Sequence, residues 1–571
     1  MILSVCQAFF VLETVFRVCH KEAKMNKWIS SAMLMSVFVV LLFGSPHYAH
    51  AAWTNDPAVN TPIATNSGSD FNPAIVSDSH GGAIIAWQKG FGTIYAQRVD
   101  ATGDILWTLN GVDISSWGDS RTPQIAGDGA GGAIITWFVY ETGIYAQRVD
   151  SNGNLLWDTS GVTISEADEF VGVPNIVSDN AGGAIIAWVD HRAGDYRVYA
   201  QRINSFGAVQ WVSDGISVSG LTRAYSGMPG MISDGGNGAI ITWSDYVIGD
   251  SNSDIYAQKI DGVGSVKWGG DGMVVCAAAG NQTDPQIVSD GSGGAILTWR
   301  DQRTPANSID IYAQRIDAAG NAKWTADGVA VCTTAGEEDP LMASDGHGGA
   351  FIAWMEFRNS AKSIYTQRLD SNGNTKWTSN GIALTNSNAS QFNIMGDRDT
   401  AVIAWRDAVQ QELFHAQKID INSNEQWATG GVAFRTAPTY GTDIQLVADG
   451  SGGTIFTWYD SRNFSDTGYD IYAQKVQSNG TLPCADYPVR IQETTSHYPT
   501  IQAAYNAANG QTVQMESIEF TEDLSLNSGH IVKLQGGYYG CEYSSISGFT
   551  TVHGKVTISG GTVTAERLII M

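Results

Sequence analysis

The chain is 571 residues long, room for a large core and, by length alone, for three or four domains. Acidic residues outnumber basic ones 57 to 32, and the net charge of -25 opposes nucleic acid and anionic lipid, with no local basic patch to reverse it. Charged residues are only 16% of the chain and 64 glycines punctuate it, which argues against disorder and for a turn-rich β protein.

From Met25 the sequence reads MNKWISSAMLMSVFVVLLFGSPHYAHAAW, with a basic Lys27, an apolar run from Met33 to Phe43 and small residues at Ala49 and Ala51. This is the pattern of a secretory signal, predicting cleavage after Ala51 and a secreted, extracellular or cell-surface location. The alternative, a membrane anchor, needs about 20 apolar residues, more than this run supplies, so no membrane span is expected in the mature chain. Residues 1–24 read as an over-extended gene start, 25–51 as the signal peptide, 52–482 as a repeat domain and 483–571 as a separate module. Export permits disulfides, and Cys276, Cys332, Cys484 and Cys541 remain after the leader. A Cys484–Cys541 bridge would tie the two modules together. Cys276 and Cys332 fall at equivalent positions of adjacent repeats, too far apart to pair. Scattered histidines without CxxC or HExxH spacing make zinc and haem unexpected, and no cofactor is evident.

The repeat is marked by Trp87, Trp137, Trp188, Trp243, Trp299, Trp354, Trp405 and Trp458, spaced 50 to 56 residues apart. Such a period belongs to solenoids and propellers. One period holds four strand-like runs, PQIVSD, GGAILTW, DIYAQRID and KWTADGVAVC, joined by Asp/Gly turns that supply positive φ. Four antiparallel strands make one propeller blade. No apolar stripe of period 3.6 runs for ten residues in any repeat, which excludes a helical solenoid. The eighth copy has three strands and then SNGTLPCADYP, whereas WTNDPAVNTPIATN at the start of the mature chain matches a fourth strand. The expected fold is therefore all-β, an eight-bladed β-propeller closed by the N-terminal strand, with no open sheet edge at the seam.

Sixteen of eighteen tryptophans sit at two fixed repeat positions, so packing between blades explains them better than a sugar-stacking surface. The SDGxGG turn lacks the spacing of the sialidase Asp-box, and the repeats carry neither WD nor kelch signatures. Function should therefore lie in what varies, the loops after the second-strand Trp and after the fourth strand. Several of these begin with an acid and an Arg: Asp190 and Arg192, Asp301 and Arg303, Glu356 and Arg358, Asp460 and Arg462. The two-residue spacing favours an ion pair that fixes the turn; the rival reading is a ring of arginines, Arg192, Arg303, Arg358 and Arg462, binding an anionic ligand from an exposed face. Asp250, Asn252 and Asp254 in DSNSD place oxygens at alternating positions like the start of a calcium loop, with Asp466 and Asp470 a weaker analogue; plain solvated turns are the rival. No serine elbow, phosphate loop or dinucleotide fingerprint occurs after the leader, so catalytic residues are not assigned.

After Pro483 the period stops. The run TIQAAYNAANG, residues 500–510, followed by strand-like segments, resembles the opening of a right-handed parallel β-helix of the pectin-lyase-like kind, where such a helix caps the first coils. The resemblance implies the first coils only, without the later coils on which lyases and hydrolases of that class carry their acidic and basic residues. The run ERLIIM carries no polar capping coil, so either a truncated gene or a partner over that edge is expected. The function expected is an exported binding or interaction scaffold whose partner is a glycan or a surface protein. The rivals are an extracellular carbohydrate-active enzyme and a structural segment of a larger surface protein.

Overall fold

A computed structural model describes residues 53–571 apart from short segments, the longest being 167–171, 221–228, 247–251, 484–488 and 540–544. The leader, and Cys484 and Cys541 with the bridge expected between them, lie outside the described residues. Eight four-stranded antiparallel sheets form an eight-bladed β-propeller. In the fifth blade the strands are Gln282–Ser289, Ala295–Asp301, Asp310–Ile316 and Val329–Cys332, paired in sequence order. Seven blades follow this plan. The eighth combines Gly441–Ala448, Thr454–Asp460 and Asp470–Val476 with Thr61–Ala64, whose Thr61 lies opposite Ala473.

The sequence of each strand follows from its place in the stack. A second strand meets protein on both faces, so it is apolar throughout instead of alternating: Ala295, Ile296, Leu297 and Trp299 are all fully buried. Core clusters run across blade boundaries, with Ile311 and Val331 of the fifth blade packed among Ile352 and Trp354 of the sixth. The tryptophans that begin the fourth strands carry the contact on to the next blade. Trp107 and Trp157 donate Nε1–H to the carbonyls of Ser151 and Ser205 at 3.1 Å, and Trp53 donates to Ala101 at 3.0 Å. Packing accounts for both tryptophan series.

SDGxGG and its close variants make the first hairpin turn of seven blades, and the seventh blade has the shorter turn Asp397–Thr400 instead. Asp290 Oδ1 accepts the N–H groups of Ser292 and Gly294 at 2.8 and 2.9 Å. A Cβ at Gly294 would lie 2.2 Å from the Ile316 carbonyl, so close backbone approach requires glycine there.

Residues 489–571 build a second core around Val489, Ile501, Tyr505, Val513, Leu534 and Val552. The helix Ile501–Ala507 is capped by Thr500, whose hydroxyl accepts the Ala503 N–H, while Glu522 accepts the N–H of Ile501 and of Gln502. Beyond it, strands pair in parallel at an offset of one coil: Thr512–Glu516 with Ile531–Tyr539 and then Thr562–Glu566, Glu519–Thr521 with Thr550–His553 and then Leu568–Ile570, and Leu524–Leu526 with Val556–Ile558. Among the described residues no helix is long and apolar enough to cross a membrane.

Candidate functional site

Every second strand has a charged pair at its first-turn end, and four have another, with different surroundings, at the far end. At the first-turn end, Asp290 Oδ2 accepts from Arg315 Nε and Nη2 at 3.0 and 2.9 Å, and Arg315 Nη1 reaches the Ser371 carbonyl of the next blade at 3.1 Å. All eight blades have an Asp at this position paired with an Arg or Lys of the third strand, from Asp78–Arg98 to Asp449–Lys475. This clamp was hidden in the sequence as two separate repeat motifs, SDG and YAQR. Because the loop between the two varies in length, no fixed spacing in the sequence announces the pairing.

At the other end, the acid of the acid-x-Arg loops is fully buried. Asp190, Asp301, Glu356 and Asp460 each accept the indole N–H of the Trp two residues before, at 3.2, 2.8, 3.0 and 3.3 Å. Arg303 then forks onto Asp301 at 2.9 and 2.6 Å, donates to the Asp327 carbonyl at 2.7 Å and stacks over Tyr312 at 3.7 Å. Arg192, Arg358 and Arg462 repeat the arrangement over Tyr199, Tyr365 and Tyr472. Burial pushes the Asp460 carboxyl up, but Arg462 and Arg435 beside it outweigh that and hold it below the usual carboxylate range. The four arginine side chains are only 13–25% exposed. Each guanidinium lies between acid, ring and backbone, the geometry of the turn-fixing ion pair that the two-residue spacing favours.

Asp250 lies outside the described residues. Asp254 sits in the ladder opposite Asp245, within the third strand of the fourth blade, and Asn252 immediately precedes that strand. Among the described residues no group of three or more His, Cys, Asp and Glu side chains is placed to hold a metal ion. Cys276 and Cys332 are separate buried thiols, and burial pushes the Cys276 thiol up to about 12, which removes it from nucleophilic chemistry.

What repeat reasoning missed is the distribution of exposed aromatic rings. Phe91, Tyr140, Phe357, Tyr440 and Phe464 are exposed on loops or strand ends joining strands two to three or entering strand one, all on one face of the propeller. Phe206 is the remaining exposed ring of the propeller among the described residues. At the eighth blade the face gains depth: a groove of about 510 Å³ is lined by Asn60, Thr65, Arg462, Asn463, Asp466 and Thr467, with Tyr472 at its wall. Its long loop, residues 461–469, is stitched to the segment entering the first blade, through Gly68 N–H to Thr467 O and Asp70 N–H to Tyr469 O. A second, polar pocket of about 320 Å³ is lined by Lys475, Gln477 and Asn479 from the eighth blade and by Glu516 and Tyr538 from the C-terminal module. Burial pushes the Glu516 carboxyl up to about 7.

No family model matches the chain, and no curated protein matches it. Solved structures with a similar fold include a puromycin hydrolase, 13% identical with a TM-score of 0.37, covering 72% of this chain and 61% of that one. A polysaccharide lyase is 10% identical with a TM-score of 0.39, covering 76% of this chain and 94% of that one, and a Hadza microbial sialidase is 12% identical with a TM-score of 0.30, covering 61% and 66%.

Proposed function

We propose that the chain is an exported binding scaffold of the cell surface or extracellular space, with a glycan as its ligand. The observation that carries this reading is a partition of side chains. The charged groups that recur from blade to blade bond to one another inside the blades, whereas exposed aromatic rings gather on one loop face. Rings that the fold leaves exposed are the groups a sugar needs, since each offers an apolar face to C–H bonds while nearby amides and hydroxyls meet the hydroxyl rim.

In the same reading Thr61–Ala64 is the clasp that closes the ring, and residues 489–571 are the first coils of a right-handed parallel β-helix, whose offset parallel ladders support that assignment. Asp250, Asn252 and Asp254 remain proposed oxygen ligands for calcium. A glycan array probed with the full-length protein, with and without calcium, tests the proposal; retention of at least one glycan class is expected, and binding to none overturns it. The second reading, a carbohydrate-active enzyme, is favoured by Glu516 alone, a carboxyl lining a pocket that burial pushes up to about 7. It requires polysaccharide turnover that Glu516→Gln abolishes.

A further inference from the structure

The rings of the loop face are scattered singly except at one place. Tyr469 is the hub of a cluster in which Phe464 lies at 5.1 Å, Phe71 and Tyr459 at 5.4 Å and Tyr440 at 6.3 Å, most of them edge to face. The five residues come from different elements: Phe71 from the first strand of the first blade, Tyr459 from the second strand of the eighth, Tyr440 from the entry to the eighth, and Phe464 and Tyr469 from its long loop.

The repeat does not demand these rings. Where the eighth blade has Tyr459 just after the second-strand Trp, the other blades have Gln88, Phe138, Val189, Ser244, Arg300, Met355 and Arg406. Where the first blade has Phe71, the second and fifth have Arg121 and Thr283. Packing does not demand Phe464 and Tyr440 either, which are 58% and 42% exposed, whereas Tyr459 is anchored against the core of the eighth blade. Edge-to-face contacts hold the rings in place before any ligand arrives, which lowers the ordering cost of binding.

We infer that this cluster is a stacking subsite for a neutral pyranose chain, an inference that rests on the glycan-binding reading above. Phe464 and Tyr440 offer exposed rings, with Arg406 covering one face of Tyr440 at 4.9 Å. The same loop that carries Phe464 and Tyr469 contributes Asn463, Asp466 and Thr467 to the adjoining groove, whose other wall is the apolar Ala58, Val59 and Pro62, so a chain stacked on the rings meets amide, carboxylate and hydroxyl groups beside apolar surface. Neutral sugar is favoured over polyanion because the exposed Asp466 lines the groove beside the rings and the whole chain carries -25. Burial, with Tyr440, Asp443 and Tyr469 nearby, pushes the Tyr459 phenol up to about 12, so it remains a hydrogen-bond donor at any physiological pH.

The test is calorimetric titration of the full-length protein with cellohexaose, xylohexaose, mannohexaose and hexagalacturonate. Phe464→Ala and Tyr440→Ala, both at exposed positions, are expected to weaken binding of a neutral hexaose about tenfold each, the loss of one stacked ring, with melting temperature unchanged. Phe206→Ala, on the opposite face, is the control and should leave binding unchanged. If the wild type binds a neutral hexaose and neither cluster variant weakens it, the subsite is wrong while the scaffold reading stands. Binding of hexagalacturonate alone overturns the neutral class. Failure of the wild type to bind any of the four, together with a blank glycan array, overturns both proposals.

Discussion

A residue's meaning here depends on how far it departs from its seven counterparts. In five blades the second-strand Trp donates its indole N–H to an acid two residues on, among them Asp245 with Trp243. The first blade has Lys89 at that position and supplies a carboxyl from across the ladder, Asp70, which is fully buried. Burial pushes Asp70 from 3.8 up to about 7; Lys89 lowers it, Asp470 raises it and Trp87 lowers it, so burial wins. An acid raised on folding leaves stability intact below its unfolded value and lowers it as pH climbs through the folded one. Between about pH 4 and 7 the seam should therefore lose up to roughly 4 kcal/mol through this group. Melting curves of Asp70→Asn against wild type at pH 5 and pH 8 check this. The variant should gain relative stability at pH 8, and an equal difference at both pH values would reject it. The arginines carry a second prediction. Because Asp301 is fully buried, Arg303→Gln leaves a buried charge without its partner and should cost about 3 kcal/mol, read as a lower denaturation midpoint, whereas an exposed pair would cost no more than about 1 kcal/mol. The spacing alone suggested an ion pair at these loops; its burial was not legible, because depth is set by the neighbouring tyrosine and backbone, which the acid-x-Arg pattern does not encode.

At the scale of elements, the strand plan of the blade was legible because each run and each turn carries its own signal: an apolar second strand, an Asp/Gly hairpin, and a Trp at the start of the fourth. The clamp between elements was not, since SDG and YAQR lie some 25 residues apart and nothing local joins them. Their roles can be separated. Asp290→Asn keeps an oxygen for the N–H groups of Ser292 and Gly294 but loses the carboxylate that holds Arg315, so it should cost about 1–3 kcal/mol through the pair. Asp290→Ala loses the turn as well and should cost about 1 kcal/mol more. Urea unfolding of the two variants measures the difference; equal midpoints would mean that the turn bonds contribute nothing beyond the ion pair. Asp and a basic partner, Arg in five blades and Lys in three, recur in all eight, so the clamp is part of how blades stack, and its repetition is the reason it holds no ligand specificity.

For the whole molecule, the seam between the last and first blades is where repeat logic and individuality meet. The N-terminal segment makes the contacts of an ordinary fourth strand: Trp53 reaches Ala101 in the first blade, Gln474 donates to Thr54 at 2.7 Å, and Asn60 donates to the Phe434 carbonyl at 2.8 Å. Arg462 donates to the carbonyls of Ala58 and Val59, as Arg303 does to that of Asp327, and the Thr436 N–H donates to Pro57. Without that segment, Asp470–Val476 would become an edge strand whose outward N–H and C=O groups have no partner, and Arg462 would lose the backbone acceptors that complete its fork. The groove would be undone with it, because Ala58, Val59, Asn60, Pro62 and Thr65 form one of its walls. Deleting residues 52–66 is therefore expected to lower the melting temperature and to shift the protein toward larger species by strand-edge association. Binding by the cluster should fall at the same time. Supplying a peptide of residues 52–66 should restore part of the melting temperature, because the missing strand can pair with the open edge. A deletion variant that melts and elutes like wild type would show that the eighth blade is complete without this strand, and the clasp would have to be abandoned.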